Sequence, residues 1–312
     1  MTTSKTSADL ASSIPNIDAL LIRHESFFNH VHVVEQEFDI LPRKNHYGMA
    51  INYIDLLESR EQFVRELLNT VLDWVYSQAK QANILSSLRL QGRTDANAFT
   101  ELFQKAGDKF RKANDGQLLQ GQFGELLLAN CLQNLFNAVP ILRKIPLTTS
   151  PAHERFGVDA IHYSTEGNTP IIHIGEAKGY TSKYSFNSAF GDAISSILKE
   201  YNNHQKEIRL YLHEDFLDDH LQQVATDYIN GNLVGAQVRL VSIVIYEETK
   251  QRQGNTRDEI LESITQIITD RYKNFNNTKI DFASNQILSR ITYIAFPVWG
   301  LGELIKSFAE GL

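Results

Sequence analysis

Apolar and polar residues along the first third of the chain fall into two patterns. Val31 to Leu41 reads as a strand that stops before Pro42. From Ser59 into the mid-80s, Val64, Leu67, Leu68, Val71, Leu72 and Val75 recur at helical spacing and predict one long helix. Ser59 with Gln62 has the form of a capping box at its start. From Asn114 onward the pattern becomes helix, strand, strand, helix, strand, helix, strand. Gln117 to Phe136 is an apolar-rich helix, and Phe156 to Tyr163 and Pro170 to Lys178 are strands. Asn187 to Tyr201 is a helix, and Gln237 to Tyr246 is a β-branched run suited to a central buried strand. Thr256 with Glu259 caps a helix carrying Ile260, Ile264, Ile267 and Ile268, and Arg290 to Pro297 is a last strand. Strands alternating with helices imply an α/β fold, a mixed sheet covered on both faces. No repeat or low-complexity linker separates the parts. The expected division, near residue 112, sets an α+β N-terminal region (1–112) apart from the α/β region (113–312).

Composition narrows the function classes. The chain has 312 residues, 42% hydrophobic and 21% charged, which is ordinary for a globular protein with a proper core. No apolar run approaches the ~20 residues a membrane helix needs. The polar opening segment lacks the apolar core of a secretory signal, so a frayed tail and a cytoplasmic location are expected. One cysteine, Cys131, excludes an internal disulfide or cysteine-based zinc cluster, and its leucine neighbours predict burial. The net charge of −7 runs against a free-standing DNA binder. Either basic residues are focused locally, or another subunit supplies most of the affinity. The basic stretch Lys105, Lys109, Arg111, Lys112 reads first as a solvated helix face.

The chemistry concentrates in GVDAIHYSTEGNTPIIHIGEAKGY, residues 157 to 180. Turn residues Glu166, Gly167 and Asn168 divide two strand-like runs, so the segment predicts a hairpin. With Thr165 opposite Pro170, Asp159 falls opposite Glu176, and the period of two puts Lys178 on the same face. Two carboxylates that close repel, and burying them needs a positive partner. A divalent ion bound by oxygen ligands, Mg²⁺ or Mn²⁺, supplies one. A salt bridge from Lys178 to either acid on an exposed edge is the alternative. Glu125, in the preceding helix, has Gly121, Gln122, Leu128, Ala129 and Leu132 at three and four residues, a largely apolar face. Gly121 and Gly124 suit a close approach to a sheet, with Glu125 pointing down as a third carboxylate.

A helix glutamate, an aspartate ending one hairpin strand and Glu-x-Lys in the next resemble the PD-(D/E)XK nuclease fold. Gly124-Glu125, Val158-Asp159 and Glu176-Ala177-Lys178 stand in that order, with Val158 where the motif's proline would be. The resemblance covers roughly residues 114 to 300. The GVDAIHY and GEAKGY blocks, with Gly191-Asp192-Ala193 after them, further resemble the DUF1837 proteins, the HamA-type effector subunits of Hachiman anti-phage systems. These resemblances imply a restriction-endonuclease-like fold and a metal-dependent DNA endonuclease working with a superfamily 2 helicase (HamB-type), which would also account for the acidic charge. They imply Mg²⁺ on Asp159, Glu176 and the Ala177 carbonyl, with Glu125 acting through water or positioning a second ion, and Lys178 orienting the attacking water. Lys183, Tyr184, Asn187 and Lys199 would follow the DNA backbone, or form solvated helix surface.

Other readings stay open: a catalytically quiet binding or helicase-docking subunit of this fold, an RNase or junction nuclease, and an interaction subunit docking through its N-terminal part. Among the ten histidines, His30 with His32 and His213 with His220 are the best zinc candidates, and neither has a cysteine partner. His162 falls opposite His173 on the face away from Asp159 and predicts a packed pair. No phosphate-binding loop, dinucleotide fingerprint or nucleophile elbow is present.

Overall fold

The computed structural model describes residues 16–110, 116–142, 157–181, 186–212 and 219–312. The first part holds β1 (Val31–Glu37), β2 (Asn45–Ile51) and a small hairpin, β3 (Tyr53–Ile54) with β4 (Leu57–Glu58). Helices α1 (Arg60–Asn69), α2 (Val71–Val75), α3 (Gln78–Leu90) and α4 (Asp95–Gly107) follow. Next come α5 (Gly116–Leu135), β5 (Val139–Leu142), β6 (Ala160–Glu166), β7 (Thr169–Tyr180), α6 (Phe186–Tyr211) and α7 (Asp219–Ile229). The chain closes with β8 (Gln237–Glu247), α8 (Arg257–Lys273), β9 (Ile291–Val298) and α9 (Leu301–Gly311).

Seven strands form one mixed sheet in the order β1-β2-β9-β8-β7-β6-β5. The central four run parallel, and β1, β6 and β5 pair antiparallel at the flanks. Alternate residues of β8 serve different cores. Leu240, Val244 and Tyr246 pack with α6, α7 and α8, whereas Val241, Ile243 and Ile245 pack with α1, α2, α5 and α9. A strand buried on both faces reads as a continuous apolar run, which is why β8 is visible in the sequence. The expected mixed sheet flanked by helices is therefore present. Because β2 pairs with β9, the strands of residues 1–112 and of residues 113–312 share that sheet. Among the described residues, no helix is long and apolar enough to cross a membrane.

Several expectations need correction. The long helix from Ser59 is broken into α1, α2 and α3. The Thr70 hydroxyl donates to the Leu67 carbonyl at 2.8 Å and accepts the Asn130 amide at 2.9 Å, tying the bend to α5. Ser77 then caps α3 through the Lys80 N–H. Apolar spacing continues across both breaks, so periodicity cannot register them. Ser59 does not form the capping box, because its hydroxyl donates to the Asn52 carbonyl instead. The Thr256 cap is present, with Thr256 accepting the Glu259 N–H and Glu259 accepting the Asn255 N–H. β1 ends at Glu37, four residues early. The helix from Asn187 runs ten residues past Tyr201, to Tyr211. Its polar continuation stays helical because Ile208 is buried and His204 bonds the Tyr228 hydroxyl at 2.7 Å. β2 escaped notice through its polar start and Gly48, whose added Cβ would lie 3.0 Å from Ile268. The strand expected from Phe156 begins at Ala160 and runs to Glu166. The polar opening tail, Phe156, Arg111, Lys112 and His213 lie outside the described residues. Cys131 is buried, as its neighbours imply.

Small residues on one side of β7 let α5 lie close. A Cβ on Gly175 would stand 2.9 Å from Leu128, 3.1 Å from Ala160 and 3.2 Å from Leu132. Substituting Gly175→Val should overpack this contact and lower stability by about 1–3 kcal/mol, read as a fall in the urea midpoint at unchanged slope.

Candidate functional site

Sequence alternation splits Gly175-Glu176-Ala177-Lys178-Gly179-Tyr180 into two sets. The small residues face α5, where Gly175, Ala177 and Gly179 meet Leu128, Gly124 and Gln120. Glu176, Lys178 and Tyr180 share the opposite face with Ile172 and Ile174, beneath α6. β6 begins with Ala160 opposite Gly175, so beyond that point β7 is paired, among the described residues, with β8 alone. Asp159 occupies the edge this leaves, and its Oδ2 accepts the Ala177 N–H at 2.9 Å. The register is the one expected, with Thr165 opposite Pro170.

The Glu176 side chain is only 3% exposed. Its Oε1 accepts the Ser196 hydroxyl at 2.6 Å and lies 2.7 Å from Lys178 Nζ. Its Oε2 is buried without a hydrogen-bond partner among the described residues. Burial first, and the charge of Asp159 second, push the Glu176 carboxyl up to about 7, against the opposing pull of Lys178 and Ser196. Lys178 keeps contact with solvent, its side chain 32% exposed. Tyr180 donates to Asp192 Oδ2 at 2.9 Å, and burial together with Asp192 pushes its phenol up to about 12.

Helix α6 therefore contacts the site at several points. Asp192 and Ser196, one turn apart, reach Tyr180 and Glu176. Three turns further on, both Glu207 carboxylate oxygens accept the Val158 N–H, at 3.2 and 3.1 Å, just before Asp159. Gly157 is needed there, since its φ is +155° and a Cβ would come 2.6 Å from Glu207 Oε1. Asp192 was noticed in the sequence only as part of a block, and the roles of Ser196 and Glu207 were missed. All three lie on or beside the apolar stripe of α6, a polar border that a helical plot marks.

Asp159, Glu176 and Lys178 are brought together around the Ala177 peptide. Glu125 stands on α5. Helix α5 covers the other face, Gly124 makes the close approach, with an added Cβ 3.3 Å from that of Ala177, and Glu125 beside it is half-buried. Gly121 faces open space. Among the described residues, no group of three or more His, Cys, Asp or Glu side chains is arranged to hold a metal. Two carboxylates remain, which suits Mg²⁺, an ion that keeps several of its waters. Asn187 and Lys199 are exposed on α6, and Lys199 borders a cavity of about 280 Å³ with Gly157, Asn203 and Lys206. Lys183 and Tyr184 lie outside the described residues.

His162 and His173 form the expected cross-strand pair on the other face. His162 Nδ1 bonds the Ala138 carbonyl at 3.0 Å, and His173 Nε2 bonds Ser164 at 2.7 Å. Burial pushes the His173 imidazole down to about 3, so it packs as a neutral ring.

The sequence profile of one family, described as HamA, matches residues 25–312. No curated protein matches the chain.

The raised Glu176 carboxyl makes metal-free stability depend on pH. Between its ordinary value of 4.5 and about 7, the folded chain holds a proton that the unfolded chain has released. Its stabilising contribution is complete below that range and is lost as pH rises through about 7. Thermal midpoints of the metal-free protein should fall from pH 5 to pH 8, and Glu176→Gln should flatten that decline. An equally steep decline in the variant would remove Glu176 as its source.

Proposed function

The chain belongs to the HamA family, the effectors of Hachiman anti-phage defence, and from that premise we propose that it is a Mg²⁺-dependent nuclease of the PD-(D/E)XK type that hydrolyses DNA phosphodiester bonds in company with a helicase subunit. The observation that carries this reading is Glu176: a buried carboxylate with one oxygen unpartnered among the described residues, beside Asp159 and Lys178 in the order of the motif. An ionised carboxylate in such a place is costly unless a cation approaches it.

Asp159, Glu176 and the Ala177 carbonyl would hold the ion, with Glu125 acting through water from the α5 side. The bound ion would supply Lewis-acid activation of the scissile phosphate and of water. Lys178, partly exposed and tied to Glu176, would orient the attacking water for in-line displacement and offset charge gathering on the phosphate. Ser196 holds the Glu176 carboxylate, and Glu207, through Val158, holds the backbone before Asp159. Exposed Asn187 and Lys199, with Lys183 and Tyr184, would contact the nucleic-acid backbone. Much of the DNA affinity of so acidic a chain would come from the helicase.

A second reading has one observation in its favour. The 2.7 Å ion pair between Lys178 and Glu176 already offsets the buried charge, as a catalytically quiet DNA-binding or docking subunit would require.

Two measurements separate them. Plasmid and linear DNA should be cut only with Mg²⁺ or Mn²⁺, and Glu176→Ala or Lys178→Ala should reduce cutting by about a hundredfold or more. Wild-type cleavage that persists in both variants, or none even with the helicase and ATP, would sink the nuclease reading. Mg²⁺ should also raise the thermal midpoint of the wild type at pH 7.5 and leave that of Asp159→Asn unmoved.

A further inference from the structure

Bulky aliphatic side chains crowd the tip of the β3–β4 hairpin. Ile54 is 58% exposed, Leu56 48% and Leu57 76%. A two-stranded hairpin is marginal on its own, and this one is held at its base. The Tyr53 N–H donates to Asn52 Oδ1 at 2.9 Å, and its carbonyl accepts Arg257 Nε at 3.0 Å. The Ser59 N–H and hydroxyl both donate to the Asn52 carbonyl at 2.8 Å. Arg252 is stacked between Tyr53 and Trp299, 5.3 and 4.8 Å from the ring centroids, and bonds Glu58 at 2.9 Å. Arg60 bonds the other Glu58 oxygen at 2.7 Å. An apolar tip on so fixed a stalk loses little freedom when another surface covers it.

We propose that this tip is a docking knob for a protein partner whose surface offers an apolar pocket rimmed by lysine and arginine. Three adjacent aliphatics supply the anchor that such pockets take. The charges around them select the partner. Arg60, Arg252 and Arg257 bond Glu58, Asp258 and backbone carbonyls. Exposed acids outnumber exposed bases there: Asp55 in the turn, Glu61 at the start of α1 and Asp258, its side chain 91% exposed, stand against Arg257, 44% exposed and paired with Asp258. That rim repels nucleic acid and anionic membrane, and a second copy of a chain with net charge −7 is disfavoured for the same reason.

The position connects the knob to the site. The hairpin prolongs β2, which runs parallel to β9, β8 and β7, so it leaves the same sheet edge toward which Lys178 and Tyr180 extend. Three strand steps separate β2 from β7, about 14 Å across the sheet. A partner seated on the knob stands at the end of the sheet toward which Lys178 and Tyr180 extend. The inference rests on the reading that this chain works with a helicase subunit.

The full-length chain is titrated with the purified helicase subunit of its own system, following the complex by calorimetry. Leu57→Asp and Ile54→Ser should each weaken binding tenfold or more, and Asp55→Asn should weaken it more at low salt than at high salt. Thermal midpoints and Mg²⁺-dependent cutting by the isolated chain should stay at wild-type values, since these side chains lie at the solvent-exposed tip. Undiminished binding by both apolar variants overturns the knob and leaves the nuclease reading standing. No complex with the wild type overturns the helicase reading itself, and the knob with it. Loss of affinity for a short DNA duplex in place of the helicase, or a wild-type dimer that the variants split on sedimentation, overturns the assignment of a protein partner of this kind.

Discussion

Glu176 stands on the buried face of a parallel strand, with Asp159 across the hairpin and α6 overhead. A carboxylate in that place must be protonated, neutralised or hydrogen-bonded, and its surroundings divide the task. Lys178 brings charge from the same face, Ser196 brings a hydroxyl from α6, and one oxygen is left over. The bonds of α6 to Tyr180, Glu176 and Val158 are the means by which two strands and a helix agree on where that oxygen points. The length of α6 follows: stopping at Tyr201 would leave the backbone before Asp159 without Glu207.

The other face obeys the complementary constraint. Gly175, Ala177 and Gly179 carry almost no side chain, so α5 can settle onto β7 and bury Leu126, Leu127, Leu128 and Leu132. One six-residue stretch thus sets the depth of a helix on one side and the chemistry on the other. In α5 the residue aimed at the strand is Gly124.

The acidic balance of the chain takes on local meaning in the structure. Buried Glu248, and Glu58 with its side chain 11% exposed, hold Arg271, Arg252 and Arg60 near the carboxyl edge of the sheet. Those guanidinium groups bind the molecule to itself, and Asp55, Glu61 and Asp258 are exposed around the hairpin.

The sequence by itself determined the hairpin, its register, the shared face of Glu176 and Lys178, the packed pair of His162 and His173, and the mixed α/β class. Each of these follows from a period of two or of 3.6 within one contiguous segment, where neighbours in sequence are neighbours in space. Only the tertiary structure decided which face α5 would cover, that β2 would join β9, and that Thr70 would bend what periodicity reads as one helix. The same is true of Ser196 and Glu207, whose partners lie 20 and 49 residues away. Periodicity describes an element in isolation. A helical plot of α6 marks its polar border, but a buried polar group is satisfied by whatever the fold brings beside it, and the local pattern does not say which group that is.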